Sequence, residues 1–207
     1  KAAMRNYKEA QYACPDNDNF HQGYIHYKIA CQFQHVAEVE LAVNHFKEAI
    51  SHFNKSNNKL YKINCFVSIG EISRESNPDT AFKYINEGLR QAQANNDTYH
   101  IFASYTNLAG YYFYQNMHEK SLENSLKAIK NSKITLDNNY AFYYACESYL
   151  ALNKIDSAQH IQSLMPIPRS LVDSMQVYRC LAEIAQYKGD NKSYLTFSEI
   201  ADSLSNS

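Results

Sequence analysis

Small residues recur along this chain at intervals that leave room for one kind of architecture. They stand at Ala30, Gly70, Ala109, Cys146 and Ala182, spaced by 40, 39, 37 and 36 residues. Each is followed by a second series with an inner spacing of four and then three residues. The copies read Ala42–Phe46–Ala49, Ala81–Ile85–Gly88, Ser121–Ser125–Ala128, Ala158–Gln162–Met165 and Tyr194–Ser198–Ala201. Twelve residues separate the two series in every copy except the second, which is one residue shorter. Self-similarity at this period is the signature of a helical-hairpin solenoid.

Close packing explains the pattern. Positions i, i+4 and i+7 share one helix face. Small side chains there let two helix axes approach, and an aromatic ring fills the space beside them. Turn residues separate the two halves of each hairpin at Asn77-Pro78-Asp79, Asn116, Asn153 to Asp156 and Gly189-Asp190. Others separate the hairpins, at Pro15-Asp16, Asn57-Asn58, Asn95-Asn96-Asp97, Asp137-Asn138 and Pro166 to Pro168. The Asp, Asn and Ser residues among them suit helix N-caps. The spacing predicts eleven helices, over 1–13, 20–36, 39–54, 58–75, 79–94, 98–115, 118–133, 138–152, 156–165, 169–187 and 191–204. Ala3, Tyr7 and Ala10 keep the four-then-three spacing, so 1–13 reads as the second half of an earlier copy. The expectation is one solenoid over 1–207, with that half repeat followed by repeats at about 20–56, 58–95, 98–135, 138–166 and 169–204.

Charge narrows the range of partners. The chain has 20 basic and 21 acidic residues, spread without a run of one sign. Nucleic-acid binding needs a concentrated basic stripe, so a direct nucleic-acid partner is not expected. No stretch approaches the roughly 20 apolar residues of a membrane span, so insertion by this segment is not expected either. The five cysteines are odd in number and form no C-x-x-C. Buried reduced thiols acting as small apolar residues account for them. Reduced thiols favour a cytoplasmic setting, whereas a segment of a membrane-anchored regulator would lie outside the cytoplasm.

Chemistry is sparse. His45 and His52 share a helix face two turns apart, too far for one metal ion without a third element, and no H-E-x-x-H is present. There is no G-x-S-x-G and no glycine-rich phosphate loop, with five glycines in all, and the carboxylates form no evident acid/base pair. No catalytic residue, cofactor or metal site is assigned. What stands out is aromatic content, with 18 tyrosines and 10 phenylalanines clustered at Tyr24 with Tyr27, Tyr111 to Tyr114, and Tyr140 to Tyr144. Most suit helix seams, where the ring packs and the hydroxyl reaches water or a carbonyl.

The small anchors, the Ala–aromatic–Ala series, Leu108-Ala109-x-x-Tyr112 and the Lys188-Gly189-Asp190 turn resemble the tetratricopeptide repeat family, in an extended-helix variety. The resemblance covers nearly the whole chain. It implies an all-α fold, a right-handed superhelical solenoid of antiparallel helix pairs, whose first helices line a concave face. The positions it assigns to that face include Tyr24, Tyr27, Arg74, Phe113, Tyr140, Tyr143 and Arg179, with Glu147, Gln176 and Glu183 among their neighbours. Tyrosine and arginine are frequent anchors of protein interfaces. The family's clamp for terminal carboxylates is not kept. Tyr27 and Cys31 occupy two of its places, and Ala103 and Asn107 stand where cations are needed, although Asn64 remains.

These readings lead to a non-catalytic scaffold that binds a protein or peptide segment on its concave face. The alternative is a sensory or regulatory segment of a larger bacterial signalling or transcription-regulatory protein.

Overall fold

The computed structural model describes residues 7, 9, 10, 13–132 and 139–205. Among them run ten helices: α1 (Asn19–His35), α2 (Val39–Lys55), α3 (Lys59–Ile72), α4 (Pro78–Ala94), α5 (Thr98–Tyr114), α6 (His118–Asn131), α7 (Tyr140–Ala151), α8 (Ile155–Ser163), α9 (Leu171–Tyr187) and α10 (Asn191–Ser205). They match the expected second to eleventh helices to within a few residues. Most of the helix expected over 1–13 lies outside the described residues, as do the ends expected at 133 and 138 and the turn at Asp137-Asn138. Among the described residues there is no strand, and no helix is long and apolar enough to cross a membrane.

The chain forms two compact units, Lys1–His100 and Ile101–Ser207. In the first, α1 packs on α2, α2 on α3 and α3 on α4. Its core is built from Ala30, Ala42, Phe46, Ala49, Phe53, Cys65 and Ile69, all 0% exposed. In the second, α6 packs on α7, α7 on α8, and α9 on α7, α8 and α10. Phe142, Ala145, Cys146, Leu150, Ala158, Ile161, Cys180 and Ile184 form its larger core cluster, and Phe102, Ala128 and Ala141 a smaller one.

The repeat anchors occupy these cores as their spacing requires. Ala30, Ala109 and Cys146 are fully buried, as are Ala42, Phe46 and Ala49 and their counterparts Ala81 and Ile85. Gly70 shows how close the helices come: a Cβ there would sit 2.3 Å from Ile85 Cγ1. In the weaker copies the packing relaxes. Gln162 and Met165 are partly exposed, and so are Tyr194 and Ser198.

The turns resolve into two devices. Side chains of Asp18, Asn58, Asn77, Asp97, Ser170 and Asp190 accept hydrogen bonds from backbone N–H groups three residues on, capping the helices that follow. Asn116 and Asn153, expected as caps, do something else. With Ala37, Asn57, Asn96 and Gly189 they hold a left-handed backbone, φ between 53° and 74°, just past a helix end. At each of these six turns the next N–H reaches back to a carbonyl five residues earlier, as from Glu38 to Phe33 (2.9 Å) and from Asp190 to Ala185 (2.9 Å). This closure satisfies carbonyls that a helix end leaves free. The α3–α4 turn, in the copy that is one residue short, has no left-handed residue and passes directly into Pro78 at the start of α4.

Candidate functional site

In the first unit, Tyr24 and Tyr27 project from α1 into a packed group of rings. Their centroids lie 6.4 Å apart, and both meet Tyr61 edge to face, at 5.4 and 5.5 Å. Tyr27 also contacts Phe46 at 5.9 Å. Burial, with the Cys31 thiol close by, pushes the Tyr27 hydroxyl well above its usual range, so it stays protonated. Both rings remain partly exposed, and the Lys28 ammonium sits 5.3 Å from the Tyr24 centroid. Arg74 lies beyond the end of α3 and is half-buried. Asn64 is committed to structure: its side-chain oxygen is 2.5 Å from His100 Nε2, whose Nδ1 is 2.6 Å from Asp97.

The second unit gathers three predicted residues around one that sequence reading left among the packing tyrosines. Tyr144, 3% exposed, meets Phe113 at 5.7 Å, Tyr140 at 6.1 Å and Tyr143 at 5.5 Å. Tyr140 remains 36% exposed at the rim of this group. Tyr143 turns toward α9, where burial and the nearby Glu147 carboxylate raise its hydroxyl well above the usual range.

Beside Tyr143 opens a cavity of about 280 Å³ between α7, α9 and α10. Tyr143 and Glu147 of α7, Arg179, Ala182 and Glu183 of α9, and Tyr194, Ser198, Ala201 and Asp202 of α10 line it. Tyr143, Glu147, Arg179 and Glu183 are all positions that the repeat register assigned to a binding face. The α10 wall was not expected, because Tyr194, Ser198 and Ala201 are the packing series of the last copy. In the first copy the same places hold Ala42, Phe46 and Ala49 at 0% exposure. The degeneracy of the last copy was the available signal: Tyr and Ser in place of Ala and Phe leave that face loosely filled. A wider cleft of about 490 Å³ at the α7–α8 turn is formed mainly by turn residues and by Tyr187 and Lys188.

Glu147 lies deep in the cavity wall, half-buried. Burial, then the Glu183 charge, push its carboxyl up to about 7, with Arg179 acting in the opposite direction. Its Oε1 is buried and meets no hydrogen-bonding partner.

The histidine pair acquires the third element it lacked. His26 of α1 stands between His45 and His52, with ring centroids 5.2 and 5.7 Å away. His26 stacks on His52, and its Nδ1 lies 3.1 Å from His45 Nδ1, but no group of three His, Cys, Asp or Glu side chains among the described residues is placed to hold a metal ion. Burial, followed by the neighbouring histidine charges, lowers the pKa of His26. The cysteines are all free. Cys65, Cys146 and Cys180 are buried, and burial raises the thiols of Cys65 and Cys180.

Repeated helical hairpins with small and aromatic anchors define a class, the tetratricopeptide-like helical repeat proteins, and comparison of folds agrees. BtubC from P. vanneervenii is similar with a TM-score of 0.72 at 12% identity, over 99% of this chain and 87% of that one. The Rap conjugation gene regulator of plasmid pLS20, solved in complex with a Phr peptide, is similar with a TM-score of 0.73 at 19% identity. That match covers 95% of this chain and 57% of the regulator. A kinesin light chain with TPR-like repeats from Podosopora anserina matches with a TM-score of 0.63 at 11% identity, over 92% and 97% of the two chains. No protein-family model matches the sequence, and no curated protein matches it. The fold is therefore tetratricopeptide-like.

Proposed function

We propose that this chain is a non-catalytic scaffold that binds a peptide or protein segment along the concave face formed by the first helices of its repeats. Phe113, Tyr140, Tyr143 and Arg179 are the contact residues of the second unit, and Tyr24, Tyr27 and Arg74 those of the first. The observation that carries this reading is the cavity beside Tyr143. It is lined by four residues at positions that the repeat leaves free for a ligand, together with Tyr194 and Ser198 of α10, which the last copy packs only loosely. Rigid aromatic rings and an exposed arginine are the side chains that protein interfaces use as anchors. The similar conjugation regulator was solved with a peptide, which supports the same kind of use here. The test is selection of peptides against the intact chain, followed by Tyr143→Ala and Arg179→Ala. Each variant is expected to lose binding at least tenfold while keeping its helical melt. Unchanged binding by both overturns the reading.

A second reading is a sensory or regulatory segment of a larger bacterial protein; the similar gene regulator, of which this chain matches 57%, shares the fold with it. The flanking reading frame tests it. An output domain or membrane span encoded in frame supports it, and an isolated repeat array removes it.

A further inference from the structure

The cavity beside Tyr143 also specifies what the bound segment must carry. Its walls hold three carboxylates, on Glu147, Glu183 and Asp202, against one cation, Arg179. Among the described residues, neither Glu147 nor Glu183 is joined to Arg179 by a salt bridge. Glu147 Oε1 is a buried acceptor with nothing to accept from. A buried polar group without a partner is costly, and the arrangement becomes favourable when a donor enters. Two tyrosines, Tyr143 and Tyr194, complete the walls, and ring faces attract cations. At about 280 Å³ the space falls just under the roughly 300–1,000 Å³ of small-molecule sites, which suits one long side chain.

We infer that this cavity receives a lysine or arginine side chain of the bound segment, its charge held by Glu147 and Glu183 and its stem laid against Tyr143 and Tyr194. The inference rests on the groove reading above and adds the chemistry of the occupant. Arg179, exposed at the mouth, serves the backbone carbonyls of the segment. Binding is linked to protons through Glu147. The groups around it are Tyr143 on its own helix, Arg179, Cys180 and Glu183 on α9, and Tyr194 and Asp202 on α10. Its carboxyl titrates at about 7, so near neutral pH it is partly protonated. A cation favours the ionised form, so affinity rises as pH increases through 7 and levels off above it.

An array of capped octapeptides tests this, with randomised flanks and a central arginine, lysine, citrulline, norleucine or glutamate. Basic centres are expected to dominate. For the best binder, arginine to citrulline should weaken affinity at least tenfold by fluorescence anisotropy. Glu147→Gln and Glu183→Gln should each weaken the basic peptide about tenfold, and Glu147→Gln should also flatten the pH dependence between 6 and 8. Far-UV melts verify that both variants fold. A best binder that tolerates citrulline, or is centred on glutamate, yet still needs Tyr143 overturns the inference and leaves the groove reading standing. Binding indifferent to Tyr143→Ala and Arg179→Ala overturns both, and an array with no binder overturns the inference.

Discussion

At the scale of single residues, the tightest constraint is the contact of Gly70 with Ile85. A methyl group there needs space already occupied at 2.3 Å, and Ile85 is fully buried with nowhere to retreat. Overpacking of this kind costs about 1–3 kcal/mol. Gly70→Ala is expected to lower stability by that amount in urea denaturation, and a neutral result would show that α3 and α4 can part. The histidines of α1 and α2 make a second prediction. His26 and His52 have pKa values below their usual 6.5, burial being the first cause for each. The unfolded chain therefore binds more protons than the folded one just below that value. The stability these groups contribute is present above about 6.5 and is lost as pH falls toward their lowered folded values. Glu147, its carboxyl pushed up to about 7, works in the opposite direction over the same range, so the test is a difference: in thermal unfolding followed from pH 7.5 to 5, His26→Gln should lose less stability on acidification than the parent chain. An unchanged slope in the variant would place the dependence elsewhere.

At the scale of elements, the left-handed turns decide how hairpins close. Five of the six such positions are Asn or Gly, residues that adopt this backbone at low cost. Ala37 does so at φ 60°, where a Cβ is unfavourable. Ala37→Gly is expected to raise stability by about 1 kcal/mol, read from the denaturation midpoint, whereas a loss would show that the turn gains more from alanine's stiffness in the unfolded chain. The turns also show how much of the structure was legible beforehand. Helix existence and order followed from the spacing of Ala42, Phe46 and Ala49 and its counterparts, because close packing admits few residue types. The role of Asn116 and Asn153 did not, since Asn serves both as an N-cap and as a left-handed closure, and which one applies depends on where the preceding helix ends. The site was half legible. The register picked out Tyr143 and Arg179, yet it assigned Tyr194 and Ser198 to packing. A repeat pattern describes the face a helix offers, and it is silent on whether a neighbour fills that face.

At the scale of the whole chain, anchors and free positions divide the work. Core residues such as Phe46, Phe53, Cys146 and Cys180 are fully buried in their own units, where a ligand cannot reach them without unfolding. The cavity residues sit on α7, α9 and α10, all in the second unit. A segment bound there adds to the stability of the folded form by mass action, about 2.7 kcal/mol when present at a hundred times its Kd. That gain should be spatially selective. Hydrogen exchange with and without a saturating basic octapeptide is expected to slow amides of α7, α9 and α10. The deeply packed amides of α2, around Phe46 and Phe53, should keep their rates, because nothing in that core touches the cavity. Protection confined to the first unit would move the binding site to the ring group around Tyr24 and Tyr27. Slowing centred on the α7–α8 turn would move it to the wider cleft beside Tyr187 and Lys188.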